Sequence, residues 1–114
     1  MFYAEAHRAG SVWAVRDDAG LLVPEDPQGR RALPFWSSRS RLDEVLASVP
    51  AYRGCRPATV PLVDWRALWL PGMERDGLLV GLNWSGVAAS GYAVTPADVE
   101  TNLAVRDKRP PGRA

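Results

Sequence analysis

With one cysteine, one histidine and a net charge of +1, the sequence lacks the material for most active sites and for most charged interfaces. Cys55 has no second thiol, which excludes an intramolecular disulfide and a cysteine-rich zinc site. His7 has no second imidazole beside it, and completing a zinc site with carboxylates alone would be unusual chemistry for that ion. The 14 basic and 13 acidic side chains are spread along the chain, so no strong field draws in nucleic acid or an anionic lipid surface. No apolar run is long enough for a signal-peptide core or a bilayer span, and a cytoplasmic location is the expectation. Gly77, Gly81 and Gly86 are too loosely spaced for a phosphate-cradling loop, and the required order of strand, glycine turn and helix with a lysine is missing. Neither a nucleotide site nor any other cofactor is expected.

What is present is the composition of an ordinary globule, 46% hydrophobic and 24% charged, far from the signature of a disordered chain. A chain of 114 residues has room for one hydrophobic core and none for a separate cofactor domain. One α+β domain over residues 1–105 is expected, followed over 106–114 by a flexible, basic, proline-containing tail with no apolar face to bury.

The local patterns give the elements. Residues 2–9 read as a helix with Phe2, Ala6 and Ala9 near one face, ended by Gly10. Ser11 to Arg16 is rich in β-branched and aromatic residues and returns through the turn at 17–20 into Leu21-Leu22-Val23, a hairpin. Residues 25–29 supply a turn, and 32–36 a third strand in which Pro34 has no amide to donate and so marks a sheet edge or a bulge. An antiparallel meander is expected. Ser37-Ser38 offers an N-cap, and Leu42, Val45, Leu46 and Val49 share one face of a helix from Arg39 to Ser48. A loop over 51–57 and a short strand at 58–60 lead to a second helix with Leu62, Trp65, Leu68 and Trp69 in a stripe. Pro71 is expected to stop that helix and Gly72 to take the left-handed turn. Leu78, Val80, Leu82 and Trp84 then alternate on one face of a central strand. Ser85-Gly86 turns the chain, residues 90–94 run back, and Thr95-Pro96-Ala97-Asp98 opens a last helix reaching about Val105. The sum is an antiparallel sheet of about five or six strands with helices packed mainly on one face.

The order Ser11-Val12-Trp13-Ala14-Val15, Leu33-Pro34-Phe35-Trp36-Ser37, Pro61-Leu62, Leu70-Pro71-Gly72-Met73 and Asp76-Gly77-Leu78-Leu79-Val80-Gly81 resembles the family known as domain of unknown function 2750, over almost the whole chain. The resemblance implies a small bacterial protein with a one-domain α+β fold, and it transfers no catalytic residue. Family members carry a longer N-terminal helix than the one that begins here at Phe2, and Val63 stands where an acidic helix-start residue is expected.

Of the chemistry-bearing residues, Cys55 would need His7 beside it to take its proton, and no third orienting group is indicated; a lone cysteine is more often a small inert hydrophobe. The five tryptophans, interleaved with arginines, could be read as a stacking platform for single-stranded nucleic acid, but periodicity places Trp13, Trp65, Trp69 and Trp84 with aliphatic residues in the core. Trp36 differs, since it follows the proline-bearing edge strand and precedes Ser37-Ser38-Arg39-Ser40-Arg41. The expected binding surface is therefore Pro34, Trp36, Arg39 and Arg41, against the plainer reading in which the Trp36 ring closes the end of the core. A basic patch made with Arg30-Arg31 is discounted because Glu25, Asp26, Asp43 and Glu44 are interleaved with it.

Two functional readings follow. The first is a non-enzymatic protein-binding or accessory module, of immunity type for example, that docks on another protein or on a second copy through the sheet edge. The second is an enzyme or small-ligand binder whose site is assembled from residues distant in sequence. Neither reading involves nucleic acid or a membrane.

Overall fold

A computed structural model describes residues 2–21, 23, 29–85 and 93–108. Helix α1 (Phe2–Ala9) buries Phe2 and Ala6 but not Ala9, and ends at Gly10, whose amide still donates to the Ala6 carbonyl at 2.9 Å and whose φ of +73° turns the chain out of the helix. Strands β1 (Ser11–Asp17) and β2 (Gly20–Leu21) form the expected hairpin. Leu22 lies outside the described residues, as does the 25–28 part of the next turn. Strand β3 (Ala32–Phe35) feeds through Trp36 into α2 (Arg39–Ser48), whose bounds are those expected, with the Ser38 side chain accepting from the Arg41 amide and Leu42, Val45 and Val49 turned inward. A 3-10 turn (Pro50–Tyr52) and strand β4 (Arg56–Pro61) occupy what was expected to be mostly loop. Strands β5 (Leu79–Leu82) and β6 (Ala93–Val94) follow, and the rest of the expected 90–94 strand, with Gly86, lies outside the described residues.

Helix α5 (Pro96–Asp107) starts where its sequence says, with Thr95 capping the Asp98 amide at 3.1 Å, but it takes in Arg106 and Asp107, which had been assigned to the tail. Residues 109–114 lie outside the described residues.

The helix that Pro71 was expected to stop does not stop there. It runs as α3 (Leu62–Asp64), a π segment (Trp65–Trp69) and α4 (Leu70–Asp76). The Leu70 amide reaches five residues back to the Trp65 carbonyl, and this wide turn makes room for a proline ring that an α-helical turn would drive against the carbonyl four residues earlier. The left-handed cap falls at Gly77 (φ +70°), not Gly72, with Leu78 N–H on Met73 O and Gly77 N–H on Glu74 O in a Schellman arrangement. The extra residue of the π turn also rotates the stripe: Leu62, Trp65, Leu70 and Met73 are buried, while Leu68 is 68% exposed.

Among the described residues the strands make two three-stranded sheets, β2-β1-β4 and β3-β5-β6. Every pairing is antiparallel except β3 with β5, where Ala32 to Phe35 run alongside Leu79 to Leu82 in parallel. The antiparallel meander therefore holds only in part, because α2, β4 and the helical rod 62–76 intervene and bring the chain back to the same end before β5 begins. Trp13 and Trp36 join the two sheets by an isolated antiparallel bridge, each amide donating to the other's carbonyl at 2.8 Å.

Side chains alternate across this surface into two apolar clusters. Val12, Ala14, Leu33, Phe35, Val60 and Val80 face α1, the rod and α5. Val15, Ala32, Trp36 and Trp84 face α2 and Tyr52. Among the described residues, helices thus cover mainly one face, with α2 and the 3-10 turn at Tyr52 on the other. Trp84 is buried as expected but on the opposite face from Leu78, Val80 and Leu82: Asn83 adopts φ +52°, which ends the alternation and swings the next side chain across.

Candidate functional site

The junction between β3 and α2 was the expected binding surface, and the structure separates its four residues. Pro34 lies in the terminal strand of its sheet, consistent with its lack of a donor, but that edge is covered by β1 and the residue is buried. Trp36 is 0% exposed: its indole N–H donates to the Trp84 carbonyl at 2.8 Å and its ring meets Tyr52 edge-on, with centroids 6.1 Å apart. The half-exposed Trp36 anchor is thus corrected, and the plainer reading of that ring holds. Arg39 and Arg41 remain at the surface, on the first turn of α2. The tryptophan beside them is Trp13, partly buried, with the Arg39 guanidinium carbon 5.4 Å from its ring centroid. Strict alternation along β1 contains this signal, since Trp13 points away from Val12 and Ala14, yet the all-apolar look of the strand hid it.

Arg41 belongs to a polar cluster that ties three elements together. Its guanidinium grips Glu5 of α1 with two bonds, Nε to Oε1 at 2.9 Å and Nη2 to Oε2 at 3.0 Å. Ser37, itself buried, donates its hydroxyl to Glu5 Oε1 at 2.5 Å and accepts from Asn83 Nδ2 at 3.0 Å, while its amide donates to Asn83 Oδ1 at 2.9 Å. The Asn83 amide donates to the Phe35 carbonyl at 2.9 Å, so a left-handed residue that would otherwise be strained is held from three sides. The Arg41 bonds, then the Ser37 hydroxyl, pull the Glu5 carboxyl down to about 2. A polar cleft of about 270 Å³ opens beside the cluster, lined by Glu5, Ser38, Ser40, Arg41 and Glu44.

A second and larger concavity, about 640 Å³, lies between α1, the rod and α5, lined by Leu62, Val63 and Ala67 on its apolar side and by His7, Arg66, Glu100 and Asp107 on its polar side. Arg66 projects from the π segment and clamps both carboxylates, Glu100 through Nε and Nη2 (2.9 and 2.6 Å) and Asp107 through Nη1 and Nη2 (3.1 and 2.7 Å). His7 Nε2 lies 2.9 Å from Asp107 Oδ1. The Arg66 bonds, then the His7 contact, lower the Asp107 carboxyl to about 2. Sequence reading missed this network, because Arg66, Glu100 and Asp107 come together only through helix packing.

The charges of both clusters are spent on one another within the chain. His7 is engaged with Asp107, whereas Cys55 packs against the α2 cluster beside Tyr52, and burial, more than the nearby Asp17 charge, raises its thiol pKa. That is the reverse of thiolate activation. Burial likewise pushes the Tyr52 hydroxyl up to about 12. Among the described residues no three histidine, cysteine, aspartate or glutamate side chains gather where they could hold a metal ion, and no helix is long and apolar enough to cross a membrane.

Compared with known protein families, residues 1–103 match the one described as protein of unknown function (DUF2750). The chain belongs to the DUF2750 family. The match spans every element described above up to the middle of α5, so the fold with its Glu5–Ser37–Asn83–Arg41 cluster lies inside the family's extent, and only Asp107 of the Arg66 clamp lies beyond it. A comparison with curated proteins finds no significant match.

Proposed function

We propose that this DUF2750 member acts as a protein-binding or accessory module, of the kind that includes immunity proteins, and that its binding surface is the N-terminal end of α2 with the flank of β1. The observation that carries this reading is the Arg39–Trp13 stack at the surface. Tryptophan and arginine are the side chains that most often dominate protein interfaces, and here they are already ordered against each other, so docking loses little side-chain freedom. The Glu5 clamp on Arg41 fixes the same turn of α2. In both polar clusters the charged side chains are bonded to one another, which supports a rigid recognition surface more than a site poised to receive a reactant.

A photoactivatable residue in place of exposed Ser40, introduced in the producing cell, is the test. We expect one discrete adduct with a second protein, lost on Arg39→Glu with the melting temperature within about 2 °C of wild type, as for an exposed substitution. Adducts that are scattered, or that persist in Arg39→Glu, refute this surface. The ligand-binding alternative draws on the 640 Å³ groove, and it requires a ligand able to compete with Glu100 and Asp107 for Arg66.

A further inference from the structure

The outer face of the rod 62–76 carries Asp64, Ala67, Leu68, Pro71 and Arg75, all exposed, with partly buried Gly72 at its border. Asp64, Leu68, Pro71 and Arg75 follow one another along this exposed face as a seam. Leu68, at 68% exposure, stands at its centre, and Val63, at 72%, stands at one end of the rod. The charges are arranged with a sense: an acid at the N-terminal end of the seam, a base at the C-terminal end, neither bonded to another side chain among the described residues, and small or apolar residues between them. The sequence is also palindromic in kind about the Trp69-Leu70 bond. Asp64 and Arg75 are equidistant from it, as are Ala67 and Gly72, and Leu68 and Pro71.

A surface that is complementary to itself when turned end for end is what a two-fold interface requires. We propose that this face pairs with the same face of a second copy, antiparallel, across a two-fold axis at the Trp69-Leu70 bond. Asp64 of each chain then meets Arg75 of the other, Leu68 packs on Pro71, and Ala67 and Gly72 let the rods approach closely. Any other protein would need the same alternation of base, apolar centre and acid in reverse order, which a second copy supplies automatically. The face is separate from the α2 surface assigned to a partner protein above.

One helix against one helix is a small interface, so the dimer is weak, with a dissociation constant on the order of 100 µM. Sedimentation velocity of the full chain from about 5 µM to about 1 mM tests it, with circular dichroism confirming that each variant is folded. Leu68→Glu and the single reversals Asp64→Arg and Arg75→Asp are each expected to weaken dimerisation at least tenfold. The double reversal Asp64→Arg/Arg75→Asp restores it. An equimolar mixture of the two single reversals gives a heterodimer, since the base-only seam of one then faces the acid-only seam of the other. A chain that stays monomeric up to about 1 mM overturns the proposal. So does a dimer whose strength ignores the reversals, or one that the double reversal fails to restore.

Discussion

Gly81→Ala tests the central packing contact of the α2-side cluster. A Cβ built on Gly81 would lie 2.6 Å from Trp84 Cε2, 2.8 Å from Cζ2 and 2.9 Å from Nε1, closer than carbon atoms approach in real structures. The ring cannot simply slide away. Trp84 is 2% exposed, and its carbonyl is held by the Trp36 indole N–H on a side chain that is itself fully enclosed. Moving the ring by about 1 Å to a normal contact disturbs Trp36 and, through it, Tyr52; overpacking of this kind costs about 1–3 kcal/mol. The gain from a less flexible unfolded chain offsets some 0.4–1 kcal/mol of that. A net loss of roughly 1–2 kcal/mol should lower the melting temperature by roughly 5–15 °C for a domain of this size. Urea unfolding of four proteins isolates the cause: wild type, Gly81→Ala, Trp84→Leu and the double variant. With the ring gone, the added methyl should cost almost nothing, so the two substitutions should couple by about 1 kcal/mol or more. An equal cost of Gly81→Ala in both backgrounds refutes the contact as described.

Acid stability depends on Glu5, whose carboxyl is held at about 2 in the folded protein against about 4.3 in an unfolded chain. A depressed folded value means the contribution is complete above about pH 4.3 and is lost as pH falls toward 2. Glu5→Gln should therefore flatten the stability–pH curve across that interval while lowering stability at neutral pH, and an unchanged acid limb counts against the Arg41 clamp. Asn83→Ala should destabilise by about 2–3 kcal/mol, combining a strained left-handed alanine with the unpaired amide of buried Ser37; a loss below about 0.5 kcal/mol in chemical denaturation would show that the left-handed turn is not held by its side chain.

How much of this was legible in the sequence depends on the range of the interaction. Ser38 and Thr95 cap helices through bonds spanning three residues, and Gly10 ends one through its own backbone, so α1, α2 and the start of α5 could be read directly. The rod could not, because its sequence carries a proline that ends an ordinary helix, and only the i−5 bond at Leu70 makes that proline harmless. Trp84 was rightly expected in the core and assigned to the wrong face, since alternation assumes a straight strand and Asn83 leaves it. Trp36 was misjudged for a related reason. Its flanking arginines are polar in sequence, but its burial is decided by Trp13, Tyr52 and Trp84, which reach it from other parts of the chain. The family could be recognised from motif order, and that order did not disclose a function.

The parallel pairing of β3 with β5 has a consequence for how the chain leaves the ribosome. Trp36 waits for Trp84, 48 residues later, and β3 cannot find its sheet neighbour before β5 has been made. At about 5–20 residues per second, the apolar segment Leu33-Pro34-Phe35-Trp36 stays without its neighbour for several seconds of translation, an interval in which such segments associate between chains. Pro34 interrupts that segment. It cannot donate to a growing stack of strands, yet its native place beside Gly81, at the end of its sheet, requires no donor from it, so one residue serves the finished fold while discouraging cross-β association of the nascent one.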